Sequence, residues 1–165
     1  MADSNIAPSA PSGAEQFTRL IADVTRRIQG RALDEKLQTD LESMFPADGP
    51  VYWEIFTACR AAIDAGWMCN RESGGIKFGR VIKPSDATHQ FSVDVVDMQP
   101  LAGPHHRHPN GEIDLIMPLE PDAKFDGHGA GWLVYGPDSA HSPTVAGGRA
   151  LVLYLLPEGA IEFSR

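Results

Sequence analysis

Four side chains in this sequence have the types and the spacing of a metal site. His106, His108 and Glu112 form the pattern H-x-H-x-x-x-E, and His141 follows further along the chain. Three imidazoles and one carboxylate suit divalent Fe, Mn, Zn, Ni or Co, and leave positions open for water or substrate. The alternative is a solvated, His-rich surface loop, which would not need a glutamate at this offset. The pattern therefore predicts a divalent metal ion held by these four residues.

The residues around this motif predict how its members converge. Side chains at positions i and i+2 of a strand project to one face, so His106 and His108 can point at the same ion. Pro109-Asn110-Gly111 is a turn signal, and Glu112 would then open the returning strand of a hairpin, opposite the histidines. His141 follows a second Gly-Pro turn and is expected to arrive from a neighbouring strand.

Apolar periodicity predicts the elements that must position these residues. Helical spacing runs from Phe17 to Ile28, after a capping-box pattern at Ser12–Glu15, and it returns at Leu33–Met44 and Tyr52–Ala65. From Gly75 onward, short strands alternate with turn residues. The predicted strands are Gly75–Lys83, Gln90–Met98, Glu112–Leu119, Gly131–Tyr135, Arg149–Leu156 and Ala160–Phe163. The order of elements predicts an α+β fold, with N-terminal helices followed by an antiparallel β-barrel or sandwich.

The same patterns predict one domain in three segments. Residues 1–13 are rich in Ala, Ser and Pro and are expected to be a disordered tail. Residues 14–66 form a helical segment packed on the barrel, and residues 67–165 form the barrel itself. Trp53 is assigned to the core, because large aromatic side chains are usually buried.

Composition excludes several classes of partner. The net charge is −8 and no basic patch is present, which argues against binding to nucleic acid or to an anionic membrane. No apolar run reaches the length of a transmembrane helix, and the N-terminus does not have the pattern of a secretory signal. Cys59 and Cys69 are expected to be buried free thiols. A cytoplasmic protein is predicted.

Two resemblances add to these predictions. The pattern H-x-H-x(3,4)-E with a later histidine resembles the cupin superfamily, over about residues 75–163. Five longer phrases resemble the 4-hydroxylaminobenzoate lyase family over nearly the whole chain. They are Gly66-Trp-Met-Cys-Asn-Arg71, Phe78-Gly-Arg-Val-Ile-Lys-Pro84, Phe91-Ser-Val-Asp-Val-Val-Asp97, residues 103–118, and the ending from Gly127-His-Gly-Ala-Gly-Trp132 through Ala150-Leu-Val-Leu-Tyr-Leu-Leu-Pro157.

The family resemblance implies a cupin-like barrel and a specific reaction. In bacterial nitroaromatic breakdown, members convert 4-hydroxylaminobenzoate to 3,4-dihydroxybenzoate (protocatechuate) and ammonia. A metal ion would serve as Lewis acid and water activator. A ring imine must also be hydrolysed before it aromatises to an aminophenol, which calls for an acid–base group. Glu112 could serve, and so could His105, which parity places on the opposite face from the metal ligands.

A substrate with an aromatic carboxylate needs a cationic partner. Arg80 lies among apolar residues of a predicted strand, whose alternation places Ile76, Phe78, Arg80 and Ile82 on one face. A planar guanidinium can clamp a carboxylate with two hydrogen bonds. The alternatives are an internal salt bridge to Asp94 or Asp97, or extension of the side chain to the surface. Arg71, in the predicted loop Asn70–Gly75, is a second candidate.

Other functions and an assembly state are also compatible with the sequence. A cupin-type Fe(II) dioxygenase of an aromatic acid would consume O2, whereas the lyase would not. A non-catalytic aromatic-acid sensor would have no need of converging metal ligands. A homo-oligomer, most simply a dimer, is expected because cupin-like barrels pair through their edges or faces.

Overall fold

The helices begin and end at local signals in the sequence. In the computed structural model, which describes residues 13–164, they are α1 (Gly13–Ile28), α2 (Glu35–Met44) and α3 (Pro50–Ala65). The carboxylate of Asp34 caps α2 by accepting a hydrogen bond from Leu37 N at 2.9 Å. Helix α3 starts at Pro50 and is terminated by Gly66, whose φ of +87° is left-handed. All three predicted helices are confirmed.

The predicted tail and capping box fall mostly outside the described residues. Residues 1–12 are not described, so neither the disordered tail nor Ser12 is tested. Gly13, which was assigned to the tail, is the first residue of α1.

The strands form one large sheet and two small ones within the described chain. The six-stranded sheet has the order β1-β2-β3-β11-β6-β8, and the small sheets have the orders β4-β10-β7 and β12-β5-β9. All pairings are antiparallel. The bounds are β1 Arg71–Ser73, β2 Ile76–Ile82, β3 Phe91–Met98, β4 Leu101–Ala102, β5 His106–His108, β6 Glu112–Pro118, β7 Lys124–Phe125, β8 Gly131–Tyr135, β9 Ser139–His141, β10 Thr144–Ala146, β11 Ala150–Pro157 and β12 Glu162–Phe163.

The large sheet is buried on both faces, which makes the fold a sandwich. One face packs against the helices, where Phe17 and Ile21 of α1 meet Val93, Leu115 and Leu153. The opposite face packs against the small sheets in a second cluster, to which the large sheet contributes Ile116, Val152 and Tyr154 and the small sheets contribute Phe125 and Val145. The predicted α+β class is therefore confirmed, with separate sheets rather than one closed barrel.

Two local predictions about the strands are wrong. The expected hairpin is not formed, because β5 and β6 belong to different sheets. Strand β6 is buried along nearly its whole length, so it needs the interior position between β11 and β8 that it occupies. In β2, a register irregularity between Arg80 and Ile82 turns Ile82 to the helical side, while Arg80 stays on the face predicted.

Further findings concern Trp53, one predicted loop and the two cysteines. Trp53, predicted to be core, is 47% exposed and packs edge-on against Tyr52. The predicted loop Asn70–Gly75 contains a short strand, β1, which pairs with β2. Cys59 and Cys69 are buried free thiols, as predicted.

Among the described residues, no helix is long and apolar enough to span a membrane.

Candidate metal centre

The four predicted ligands meet at one point on the inner side of the sandwich. One ligand atom from each of them, an imidazole nitrogen or a carboxylate oxygen, lies within 4.8 Å of all the others. The Glu112 carboxylate is 2.9 Å from His108 Nε2 and 3.5 Å from the Nε2 atoms of His106 and His141. His106, His108 and Glu112 are buried, and the His141 side chain is 11% exposed. The structure therefore brings together all four residues that the sequence singled out.

Three strands from two sheets produce this convergence. His106 and His108 occupy alternate positions of β5, and His141 of the adjacent strand β9 is paired directly with His106. Glu112 is the first residue of β6, which lies in the other sheet. The cluster thus joins the large sheet to the small sheet β12-β5-β9.

The outer ring nitrogens of the three histidines are held by hydrogen bonds. His106 Nδ1 donates to Pro104 O at 3.3 Å, and His141 Nδ1 donates to Asp126 Oδ2 at 2.5 Å. His108 Nδ1 lies 3.0 Å from Ser139 Oγ, which itself donates to Gly136 O and must therefore accept from the histidine. Nδ1 is therefore protonated in each ring, and Nε2 is the nitrogen that faces the cluster and presents a lone pair to it whenever the ring is neutral.

The inner atoms of the cluster are candidate metal donors without hydrogen-bond partners. Both Glu112 oxygens and His108 Nε2 are buried and have no hydrogen-bond partner within the described chain. The Nε2 atoms of His106 and His141 are 3.1 Å apart. Lone pairs this close repel one another unless a cation or a proton lies between them. Three imidazoles and a carboxylate with this orientation fit a divalent metal ion.

The electrostatics favour a cation at the same point. Burial alone would raise the pKa of Glu112, but the three neighbouring imidazoles hold it well below its usual value. Burial would lower the pKa of His141, but Asp126 and Glu112 outweigh it and raise that pKa to about 9. Beside them, burial and the charge of Glu112 raise the pKa of Asp114 well above its usual value. The site thus holds one ionised carboxylate among its ligands and a neutral carboxyl group behind it.

A cavity of about 370 Å³ adjoins the cluster and shares His106 as one of its walls. Its lining is mostly apolar and includes Phe78, Tyr154 and Phe163. Arg80 and Asp94 supply charge in this lining. The volume and the apolar walls suit a small aromatic molecule.

The three remaining candidate residues occupy different positions. Arg80 forms the salt bridge that was weighed as an alternative, with Nε 2.8 Å from Asp94 Oδ1 and Nη2 3.2 Å from Oδ2, while it also lines the cavity. Asp97 pairs with Arg149 instead. Arg71 is exposed on β1. His105 is exposed, and its Nδ1 lies 2.7 Å from Ser164 Oγ.

Sequence reasoning missed the groups behind the ligands. Asp114 lies two positions after Glu112 in β6, so strand parity could have identified it as a neighbour of the site. Asp126 and Tyr154 carry no such local signal. Asp126 reaches His141 because β7 and β10 pair, and Tyr154 reaches the cavity because β11 lies at the centre of the large sheet.

The fold and the site define an α+β protein with an antiparallel β-sandwich and a cluster of three histidines and one glutamate. Comparison with known proteins identifies the family. The model of the PnbB 4-hydroxylaminobenzoate lyase family matches residues 19–163, and the chain belongs to that family.

Relatives that carry the name 4-hydroxylaminobenzoate lyase are known from two bacteria. The protein from Nocardioides sp. (strain LMS-CY) is 29% identical, over 82% of this chain and 86% of its own. The protein from Pseudomonas putida is 26% identical, over 90% of this chain and 94% of its own. Among solved structures, a cupin-like protein from Thermotoga maritima matches with a TM-score of 0.43 and 16% identity, covering 56% of this chain and 77% of that one.

Proposed function

We propose that this protein is a lyase that converts 4-hydroxylaminobenzoate and water to 3,4-dihydroxybenzoate and ammonia, with a divalent metal ion as cofactor. The reaction is redox-neutral, so it requires neither a nicotinamide nor O2. The observation that carries the proposal is that His106 belongs both to the cluster of four candidate ligands and to the wall of an apolar cavity. Membership of the lyase family supplies the substrate.

The ion would be held by His106, His108, Glu112 and His141, a donor set that suits Fe, Mn, Zn, Ni or Co. When bound, the ion supplies Lewis acidity towards the N–O bond and towards water. The chain's own part is to fix the Nε2 lone pairs through Pro104, Ser139 and Asp126, so that the donor set is already oriented before binding.

Arg80 is proposed to bind the substrate carboxylate. Asp94 engages its Nε and Nη2, and Nη2 also donates to Gly159 O at 3.2 Å. Nη1 makes none of these contacts and is left to donate to a ligand. Asp94 then holds the guanidinium plane in place, which reduces the entropy lost on binding. Arg71 is the second candidate for this role.

Glu112 is proposed as the acid–base group. Its carboxylate has two oxygens and neither is hydrogen-bonded, so one can contact the ion while the other accepts a proton from water. His105, the other candidate, is exposed and bound to Ser164, and it is not among the residues that line the cavity. We therefore propose Glu112, in preference to His105, as the group that accepts and donates protons at the centre.

The test is an anaerobic incubation of metal-analysed protein with 4-hydroxylaminobenzoate, following ammonia and 3,4-dihydroxybenzoate together. Equal amounts of both products without O2 are the expected result. Turnover only with O2 uptake would indicate the dioxygenase, and binding of an aromatic acid without turnover would indicate the sensor.

A double variant, His106→Ala with His108→Ala, tests the metal assignment. It should keep the fold, lose the bound metal and lose activity. His128→Ala with His89→Ala provides a matched control with the same number of histidines removed, because neither residue is in the cluster. Retention of metal and activity in the first variant would refute the assignment.

A further inference from the structure

Tyr154 is a buried phenol in the cavity wall that the proposed roles leave unused. It lies in β11, at the centre of the large sheet, and it is 7% exposed. It lines the cavity, and within residues 13–164 its hydroxyl has no hydrogen-bond partner. A hydroxyl that borders a cavity and has no partner in the protein is available to donate a hydrogen bond to a ligand bound there.

The sheet register places Tyr154 between the two ends of the proposed substrate site. Arg80 of β2 is paired with Asp94 of β3, Asp94 with Tyr154 of β11, and Tyr154 with Asp114 of β6. Glu112 lies two positions from Asp114, on the same face of β6. A ligand that runs from Arg80 towards the metal cluster therefore passes over Tyr154.

Packing holds the ring of Tyr154 on the side of the cavity that lies near the candidate metal ligands. It packs against Phe125, with 6.1 Å between ring centroids, and Phe125 packs in turn against His141 at 6.2 Å. Burial and then the charge of Glu112 raise the pKa of Tyr154 well above its usual value. The phenol thus remains protonated and can donate throughout the neutral pH range.

The other polar side chains of the cavity lining already have roles. Arg80 pairs with Asp94 and keeps only Nη1 for the substrate carboxylate, and His106 belongs to the cluster of four candidate ligands. Ser73 is exposed at the end of β1, the edge strand of the large sheet. Tyr154 is therefore the buried donor in this lining that is free to contact a ligand.

We propose that the Tyr154 hydroxyl donates a hydrogen bond to the hydroxylamino oxygen of the substrate and so acts as a catalytic residue. This inference rests on the proposed lyase function. When the N–O bond breaks, its electron pair leaves with the oxygen, which takes up a proton from water. Tyr154 keeps its own proton and stabilises the negative charge that develops on that oxygen. Nothing is oxidised or reduced by an external reagent.

The test compares Tyr154→Phe with Tyr52→Phe in the metal-loaded protein. Both tyrosines are buried, at 7% and 5% exposure, and Tyr52 lies on α3, outside the cavity lining. Tyr154→Phe should keep its metal content and melting temperature but lower kcat by about 10²- to 10³-fold, the usual effect of losing one donor to a developing charge. Tyr52→Phe should retain wild-type turnover.

Binding of unreactive analogues separates this inference from the proposed function. 4-Nitrobenzoate has oxygens on the para nitrogen and benzoate has none. Tyr154→Phe should weaken binding of 4-nitrobenzoate by roughly 2- to 10-fold, the effect of one hydrogen bond, and leave benzoate unchanged. If the wild type does not turn over 4-hydroxylaminobenzoate, the lyase proposal fails, and this binding difference still decides whether Tyr154 contacts the para substituent.

Three outcomes would overturn the role of Tyr154. One is equal turnover of Tyr154→Phe and Tyr52→Phe. Another is an equal loss of affinity for both analogues, which would indicate a change in cavity shape. The third is a loss of metal or of thermal stability in Tyr154→Phe that accounts for its lost activity.

Discussion

At the scale of single residues, the centre depends on pairs of groups rather than on its four ligands alone. His141 shows this most clearly, because Asp126 Oδ2 accepts a hydrogen bond from its Nδ1 and another from the Tyr135 hydroxyl, each at 2.5 Å. The other Asp126 oxygen accepts from Thr144 N at 2.9 Å. Asp126 is thereby fixed in place, and it fixes the ring of the least buried ligand.

Metal binding should release a proton from His141. The pKa of His141 is raised to about 9, so the ring is charged at pH 7, whereas a ligand must be neutral. Affinity should therefore rise with pH up to about pH 9, with close to one proton released per ion at neutral pH. Calorimetric titration with Zn²⁺ in buffers of different ionisation enthalpy measures the proton count.

Asp126→Asn removes the larger of the two influences that raise this pKa, so it should reduce proton release and weaken metal affinity by about 10- to 100-fold. Asp64→Asn, on the exposed side of α3, is the control. Unchanged proton release in Asp126→Asn would contradict the assignment.

Arg80 and Arg71 can be distinguished by their effect on KM. Arg80→Met should raise KM at least about tenfold for a carboxylated substrate, since a hydrogen bond to a charged group contributes roughly 1.5–3 kcal/mol. It should have little effect on an uncharged analogue. Arg71→Met, at an exposed position, should leave both KM values unchanged. Equal effects of Arg80→Met on the two substrates would indicate a purely structural salt bridge with Asp94.

At the scale of elements, the turn between β5 and β6 joins two sheets. Gly111 has a φ of +89°, and a Cβ at this position would lie 2.7 Å from Leu33 Cδ2 and from Tyr135 O. The backbone at Gly111 therefore lies close to Leu33, which precedes α2, and the next residue, Glu112, lies in the cluster. Sequence reasoning identified the turn residues correctly but assigned them to a hairpin.

Gly111→Ala should destabilise the fold because it combines backbone strain with a clash. Gly30→Ala is the matched control, since Gly30 has a similar φ of +75° and open space around it. We expect the free energy of unfolding to fall by about 1 kcal/mol for Gly30→Ala and by a further 1–3 kcal/mol or so for Gly111→Ala. Denaturant titration of both variants measures the difference. Equal losses would mean that the close approach at Gly111 is relieved without cost.

At the scale of the whole molecule, the helices and the site lie on opposite faces of the large sheet. The helical face contains the large apolar cluster. The opposite face carries Asp94, Tyr154, Asp114 and Glu112 and faces the three histidines of the small sheet. The helices thus stabilise the sheet without contributing a ligand to the cluster. Dimerisation and a cytoplasmic location stay predictions from the sequence, and sedimentation velocity would measure the former.

The two thiols can report whether the molecule unfolds as one unit. Burial raises the pKa of Cys69 to about 12, and Cys59 in α3 is fully buried, so both should react slowly with a thiol reagent. In the single-cysteine variants Cys59→Ala and Cys69→Ala, the remaining thiol should become reactive at the same denaturant concentration. Earlier exposure of Cys59 would show that the helical segment unfolds separately, against the predicted single domain.

The sequence by itself determined the candidate metal ligands and most of the elements. His106, His108 and Glu112 could be predicted because strand parity and a turn act over a few residues, and the helices could be predicted from apolar spacing. Only the tertiary structure decided that Arg80 pairs with Asp94, that Asp126 supports His141 and that Tyr154 faces the cavity. These contacts join strands that are far apart in the chain. The pairing and register of those strands depend on which faces are buried in the complete sandwich, and a local sequence pattern does not contain that information.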